Sequence, residues 1–97
     1  MIAPDYWDVL ARVIDKADAR VELDWWMGTL LIPLADGRSL YATPGWEGES
    51  FPWCVHDDNY GDVVADGNVP VTWTGRLRED LATYQEALTA LIAEVTA

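Results

Sequence analysis

The residue types best suited to chemistry gather in one run, Val55-His56-Asp57-Asp58-Asn59-Tyr60-Gly61, directly after Cys54. An imidazole beside a carboxylate is the raw material of a general base, provided a further group orients the ring and the proton to be taken lies within about 3 Å. The chain holds one histidine and one cysteine, too few nitrogen and sulfur donors for a zinc centre. A calcium loop counted from Asp57 would need glycine at its sixth place and glutamate at its twelfth; Asp62 and Asn68 stand there instead. Asp57, Asp58, Asp62 and Asp66 are then left as weak, adventitious cation binders. No phosphate-cradling glycine loop, serine nucleophile motif or basic patch is present.

Val55, His56, Asp57, Tyr60 and Gly61 resemble the Cys-Cys-x-x-His-Asp-x-Cys-Tyr run of the secreted phospholipases A2. In that family the histidine activates a water and the aspartate helps bind calcium, so the resemblance implies a calcium-dependent hydrolase with His56 as its base. It extends over seven positions of 97. The family's glycine-rich calcium loop has no counterpart in the upstream YATPGWEGES, and its several disulfides have none where Cys54 stands alone, at a shifted offset from His56. The family's second aspartate, on a later helix, corresponds to nothing that the sequence selects, Asp80 being the nominee. Moreover FPWCVHD reads as a strand, in which neighbours such as His56 and Asp57 point to opposite faces. The residues are therefore read as belonging to a protein that is not an enzyme and uses no cofactor or metal.

Charge is the stronger signal. Seventeen acidic residues against six basic ones give a net charge of −11, which repels nucleic acids and anionic membranes and favours a basic protein partner. From Ser39 to Gly75 there is no Lys or Arg, while Glu47, Glu49, Asp57, Asp58, Asp62 and Asp66 all fall there. Hydrophobic residues make up 51% of the chain, enough for a packed core and too many for disorder. A lone cysteine fits a reducing compartment. The acidic N-terminal run lacks the pattern of a signal peptide, and the Trp25–Ala35 apolar stretch is too short and too interrupted to span a bilayer. A cytoplasmic location is expected.

The pattern of apolar residues predicts one α+β domain over residues 1–97: an antiparallel sheet of four to five strands with an N-terminal and a C-terminal helix packed on one face. The first helix is expected over Pro4–Asp18, with Tyr6, Val9, Leu10, Val13, Ile14 and Ala17 inward. Strands are expected at Val21–Trp26, Thr29–Leu34, Arg38–Thr43 and Phe51–Asp57. A short fifth is expected at Val69–Trp73, placed at an edge by Pro70, after a loop over Asp58–Asn68. The last helix, about Gly75–Val95, carries Leu77, Leu81, Tyr84, Leu88, Leu91, Ile92 and Val95 inward, with Thr74 as its N-cap. Turns at Met27-Gly28 and Asp36-Gly37, read as two-residue hairpin loops, pair 23 with 32, 25 with 30, 32 with 41 and 34 with 39. This puts Val21, Leu23, Trp25, Leu30, Ile32, Leu34 and Tyr41 in the core. Glu22, Asp24, Trp26, Leu31, Pro33, Leu40 and Ala42 then fall on the opposite face.

Of the six tryptophans, Trp7, Trp25, Trp53 and Trp73 are expected to be core, whereas Trp26 and Trp46 are candidate aromatic anchors ringed by polar groups. Candidate partner-binding residues are therefore Glu22, Asp24, Trp26, Leu31, Leu40, Trp46, Glu47, Glu49, Asp57, Asp58, Asp62 and Asp66. Alternate carboxylates on a strand, about 6.6 Å apart, could imitate a ladder of phosphates. In size and charge the chain resembles the small acidic inhibitors found among phage anti-restriction and anti-CRISPR proteins and toxin-immunity proteins. That resemblance implies a protein that masks a basic, nucleic-acid-handling surface of an enzyme or toxin without itself touching nucleic acid or membrane. The alternative is an assembly subunit that forms a homo-oligomer through the mixed sheet face.

Overall fold

A computed structural model describes residues 5–24, 29–43, 50–57 and 61–97. The element order is α1 (Tyr6–Ala17), β1 (Glu22–Asp24), β2 (Thr29–Pro33), β3 (Ser39–Ala42), β4 (Ser50–His56), β5 (Val63–Pro70) and α2 (Leu77–Val95). All five strands form one antiparallel meander in the order β1-β2-β3-β4-β5. The two helices touch each other and share a single core with one sheet face, so the α+β architecture is as expected. Residues 25–28 and 44–49, with Trp25, Trp26, Trp46, Glu47, Glu49 and the Met27-Gly28 turn, lie outside the described residues, as do Pro4 and Asp58 to Tyr60.

Strand pairing departs from expectation in two instructive ways. In the β1–β2 pair Leu23 lies opposite Leu30 and Glu22 opposite Leu31. The pairing is centred one residue earlier than Met27-Gly28, so each partner moves by two and every side chain keeps its face. Accordingly Val21, Leu30, Ile32 and Leu34 are buried and Glu22 and Pro33 exposed. In the β2–β3 pair the shift is odd. The Gly37 N–H donates to the Leu34 carbonyl (3.1 Å), the Leu34 N–H donates to the Arg38 carbonyl (2.9 Å), and Gly37 sits at φ 89°. The loop is thus three residues long, Ala35-Asp36-Gly37, closed by a left-handed glycine instead of an Asp-Gly two-residue turn. Ile32 pairs with Leu40 and Leu31 with Tyr41. Leu40 and Ala42, expected outside, are in the core at 0% and 1% exposure, and Tyr41 is on the outer face.

The same register explains why Pro33 is tolerated in an inner strand. Leu34 exchanges a hydrogen bond with the β3 side, so by the antiparallel alternation the Pro33 nitrogen points the other way. There β1, only three residues long, has no partner residue for it.

The fifth strand begins six residues earlier than expected, at Val63, and runs through Asp66-Gly67-Asn68, residues otherwise typical of a turn. Gly67 lies opposite Trp53, and a Cβ built there would fall 2.8 Å from Trp53 Cζ2 and 3.0 Å from Cε2 and Nε1. The indole lies flat on the strand and only glycine leaves it room. Gly67→Ala should therefore lose about 1–3 kcal/mol through overpacking, read as a lower urea midpoint with altered tryptophan emission. An unchanged midpoint would mean that Trp53 is free to move. Pro70 stands in β5, which is the edge strand, as expected.

The helices bury somewhat different stripes from those expected. In α1 the buried residues are Leu10, Ala11 and Ile14, with Trp7 stacked edge-on against Trp73; Val9 is exposed. In α2 the buried line is Asp80, Tyr84, Leu88 and Leu91, and Leu77 is at the surface. The α2 C-terminus, which has no basic residue in its last turn, is met by Arg38, whose Nη2 donates to the Val95 carbonyl at 2.7 Å. A cation there offsets the helix dipole and satisfies a terminal carbonyl.

Asp18, also buried, closes the α1–β1 corner. It accepts from the Arg20 backbone N–H (3.0 Å), Nε (2.9 Å) and Nη2 (2.7 Å), while Arg20 Nη1 reaches Thr89 of α2 at 3.1 Å. Hydrogen bonding to Arg20 holds the Asp18 carboxyl below the usual carboxylate range, against the opposing effect of burial. A depressed folded-state pKa contributes stability that is present above the unfolded value, about 3.9, and is lost as pH falls through the folded one. Arg20→Ala should therefore be less stable than the parent at pH 6, and the gap should close towards pH 2. A gap independent of pH in urea titrations would remove Asp18 from the account.

Candidate interaction face

The helices cover one sheet face; the outer face is made by the alternate residues. Its central row crosses all five strands in register: Glu22, Leu31, Tyr41, Cys54, Asp66. At the usual strand spacing this row spans about 19 Å. Carboxylates stand exposed at both ends, and Leu31, Tyr41 and Cys54 are half-buried between them. A neighbouring row holds Pro33, Ser39, His56 and Val63. On the other side Asp24 pairs with Thr29, whose hydroxyl lies 3.2 Å from that of Thr43, and Pro52 pairs with Asn68.

None of these rows contains a basic residue. Arg12 and Lys16 are in α1, Arg78 is in α2, and Arg76 directly precedes α2. Arg20 and Arg38 bond to Thr89 and Val95 of the helix layer. Five of the six cations of the chain thus belong to the helix side, and the sixth, Arg38, bonds to it from the margin of the sheet, so the rows of the outer face carry acids and no Lys or Arg. A shallow depression on this face is lined by Glu22, Leu31, Pro33, Leu34, Gly37, Arg38 and Ser39. Arg38 is at its rim, with its guanidinium turned to Asp36 and the Val95 carbonyl.

The expected binding residues are thereby sorted. Glu22, Leu31 and Asp66 share the outer face, and Asp24 is placed by its backbone pairing with Thr29 alone, its side chain lying outside what is described. Asp57 and Asp62 are exposed at the β4–β5 end, joined by a 2.9 Å bond from the Asp57 N–H to the Asp62 carbonyl. Leu40 does not belong with them: the three-residue loop turns it into the core. Trp26, Trp46, Glu47, Glu49 and Asp58 lie outside the described residues.

His56 also lies on the outer face, edge-on to Tyr41 with ring centroids 4.8 Å apart, and its Nδ1–H donates to the Gly61 carbonyl at 2.8 Å. Its neighbour Asp57 is past the strand end. Asp80 is on the helix side, where it accepts from the Tyr6 hydroxyl. The sheet therefore separates Asp80 from His56. Among the described residues no group of three or more His, Cys, Asp or Glu side chains is placed to hold a metal ion. Cys54 has its thiol pKa pushed up by burial and, secondarily, by the Asp66 carboxylate. At neutral pH it should react with an aromatic disulfide more slowly than free cysteine, since the thiolate is the nucleophile. Asp66→Asn should recover part of that loss; a rate equal to free cysteine would place the thiol in open solvent.

What the sequence reading missed is Asp80. Thr74 does not cap α2; its hydroxyl accepts from the Arg76 N–H at 3.1 Å. The carboxylate of Asp80 instead reaches back to accept the N–H groups of Thr74 (2.8 Å) and Gly75 (2.9 Å), the Thr74 hydroxyl (3.1 Å) and the Tyr6 hydroxyl. A signal was available: position 80 continues the 84, 88, 91 line at helical spacing, so a carboxylate was written onto an apolar stripe. No helix among the described residues is long and apolar enough to cross a membrane. Comparison with protein-family models, with curated proteins and with solved structures finds no match for this chain.

Proposed function

We propose that this chain is a non-enzymatic binding protein whose outer sheet face occupies a basic surface of another protein. The observation that supports it most directly is the Glu22–Leu31–Tyr41–Cys54–Asp66 row, apolar in the middle and acidic at both ends, on a face whose strand rows hold no Lys or Arg and which Arg38 touches only at its margin. Separated charges steer encounter, and a desolvated apolar centre holds the complex once formed. With a net charge of −11 the partner's surface is one that is itself basic, such as the nucleic-acid-binding surface of an enzyme or toxin, which this protein would mask.

The test is affinity capture of partners by the parent and by a Glu22→Gln, Asp24→Asn, Asp66→Asn variant, washed across a salt gradient. A basic protein held by the parent, released by salt and lost from the variant supports the reading. Recovery only of the chain itself, as an oligomer indifferent to salt, would instead mark the apolar centre of the same face as an assembly surface.

A further inference from the structure

We infer that the free edge of β5 takes up an extended segment of the partner as a sixth strand, and that this segment alternates basic and apolar residues. The inference rests on the basic-partner reading and specifies how contact is made. β5 is eight residues long and closes the sheet on one side, whereas β1 at the other edge has three. Among the described residues no further strand and no main-chain group pairs with the backbone on its far side. Such an edge is a template for another strand, and proteins usually blunt it with lysine, proline or a bulge. Here the backbone devices stand at the ends, a register shift facing Val63 and Pro70, and the one charge between them is the carboxylate of Asp66, which deters an acidic strand and not a basic one. Between them the strand carries no Lys or Arg, and Val63 and Val64 are 53% and 52% exposed.

Charge selects the occupant. A second copy pairing through β5 would bring two Asp66 carboxylates together and two chains of net charge −11 each, a like-charge arrangement that opposes pairing. A basic strand meets the opposite condition. Neighbouring strands align their side chains face by face, so alternate residues of the added strand would lie beside Asp66 on the outer face, and the others beside Ala65 and Val69, which pack against the core. Main-chain bonds would supply affinity and the alternation specificity, as in other strand-addition complexes.

The experiment titrates the isotope-labelled full chain at low salt with a capped decapeptide alternating lysine and valine. Two further peptides carry N-methyl groups on one or the other alternate set of amides, since only one set faces β5. The expected result is amide shifts concentrated at residues 63–70 and about tenfold weaker binding for one methylated peptide but not the other. Asp66→Lys should weaken binding about threefold. Equal affinity of all three peptides, shifts elsewhere on the sheet, or no binding at millimolar peptide would overturn edge docking. If any of these results accompanies a salt-sensitive basic partner in the capture experiment, the basic-partner reading survives and only the edge is wrong.

Discussion

Asp80→Ala is expected to lower the unfolding free energy by about 3 kcal/mol, the largest loss for any single polar substitution in this domain. The reasoning starts from burial. The side chain is fully buried at the junction of α1, α2 and the loop that precedes α2, and it accepts four hydrogen bonds. Hydrogen bonds to a charged acceptor contribute roughly 1.5–3 kcal/mol each. Their sum is not recovered on deletion, because Thr74 and Gly75 are exposed and their N–H groups can turn to water. Tyr6 cannot do so as freely: its phenol is shifted well above the ordinary tyrosine range, by burial first and then by its hydrogen bond to Asp80 and the charge there, so it stays a proton donor. The loop loses its anchor as well, and Gly75 must hold a positive φ of 81° that no hydrogen bond then enforces.

Two companion variants make the expectation specific. Asp80→Asn keeps the volume but has one oxygen to offer, so about half of the loss should appear. Combined with Tyr6→Phe, the loss should be less than additive, since both changes remove the same contact. Urea unfolding followed by circular dichroism reads all three. A loss below about 1 kcal/mol for Asp80→Ala would match a surface substitution and would mean that the carboxylate is not buried as described.

Asp80 also marks where legibility in the sequence ended. The helix and strand order, the pairing of two helices on one sheet face and the edge position of β5 all follow from local signals: periodicity, turn residues and one proline. What failed was set by contacts far apart in the chain. Asp66-Gly67-Asn68 has turn composition, yet Gly67 is in a strand because Trp53 covers it. Asp80 has the composition of a helix surface, yet Tyr6, 74 residues away, gives it a buried partner. The acidic outer face was half legible: Glu22 and Asp24 were assigned to it from alternation, whereas Asp66 was placed in a loop and joined it only through the unforeseen length of β5. The absence of Lys and Arg from residues 39–75 was plain in the sequence. That Arg20 and Arg38 turn their guanidinium groups to the helix layer required the fold, because both reach that layer from outside the helices.

Leu40 and Leu31 give the second large expectation, and it bears on both register and function. Leu40→Ala should cost about 2–5 kcal/mol, the range for emptying a closed core site; Leu40 is 0% exposed and lies between Ile32 and Val55 across the sheet. Leu31→Ala should cost well under half as much, because Leu31 is only half-buried on the outer face. A two-residue Asp36-Gly37 turn would bring the two losses level, since a slip of one residue exchanges the faces of β3 and moves Leu40 to the outer face beside Leu31. Comparing the two alanine variants by urea unfolding therefore decides the register without any high-resolution method. A loss at Leu40 no larger than that at Leu31 would refute the three-residue loop and with it the composition of the outer row. If the order is as expected, Leu31 is the apolar residue that a partner can reach. Its alanine variant should then speed dissociation of the complex while leaving the domain folded, the outcome that separates a contact residue from a core one.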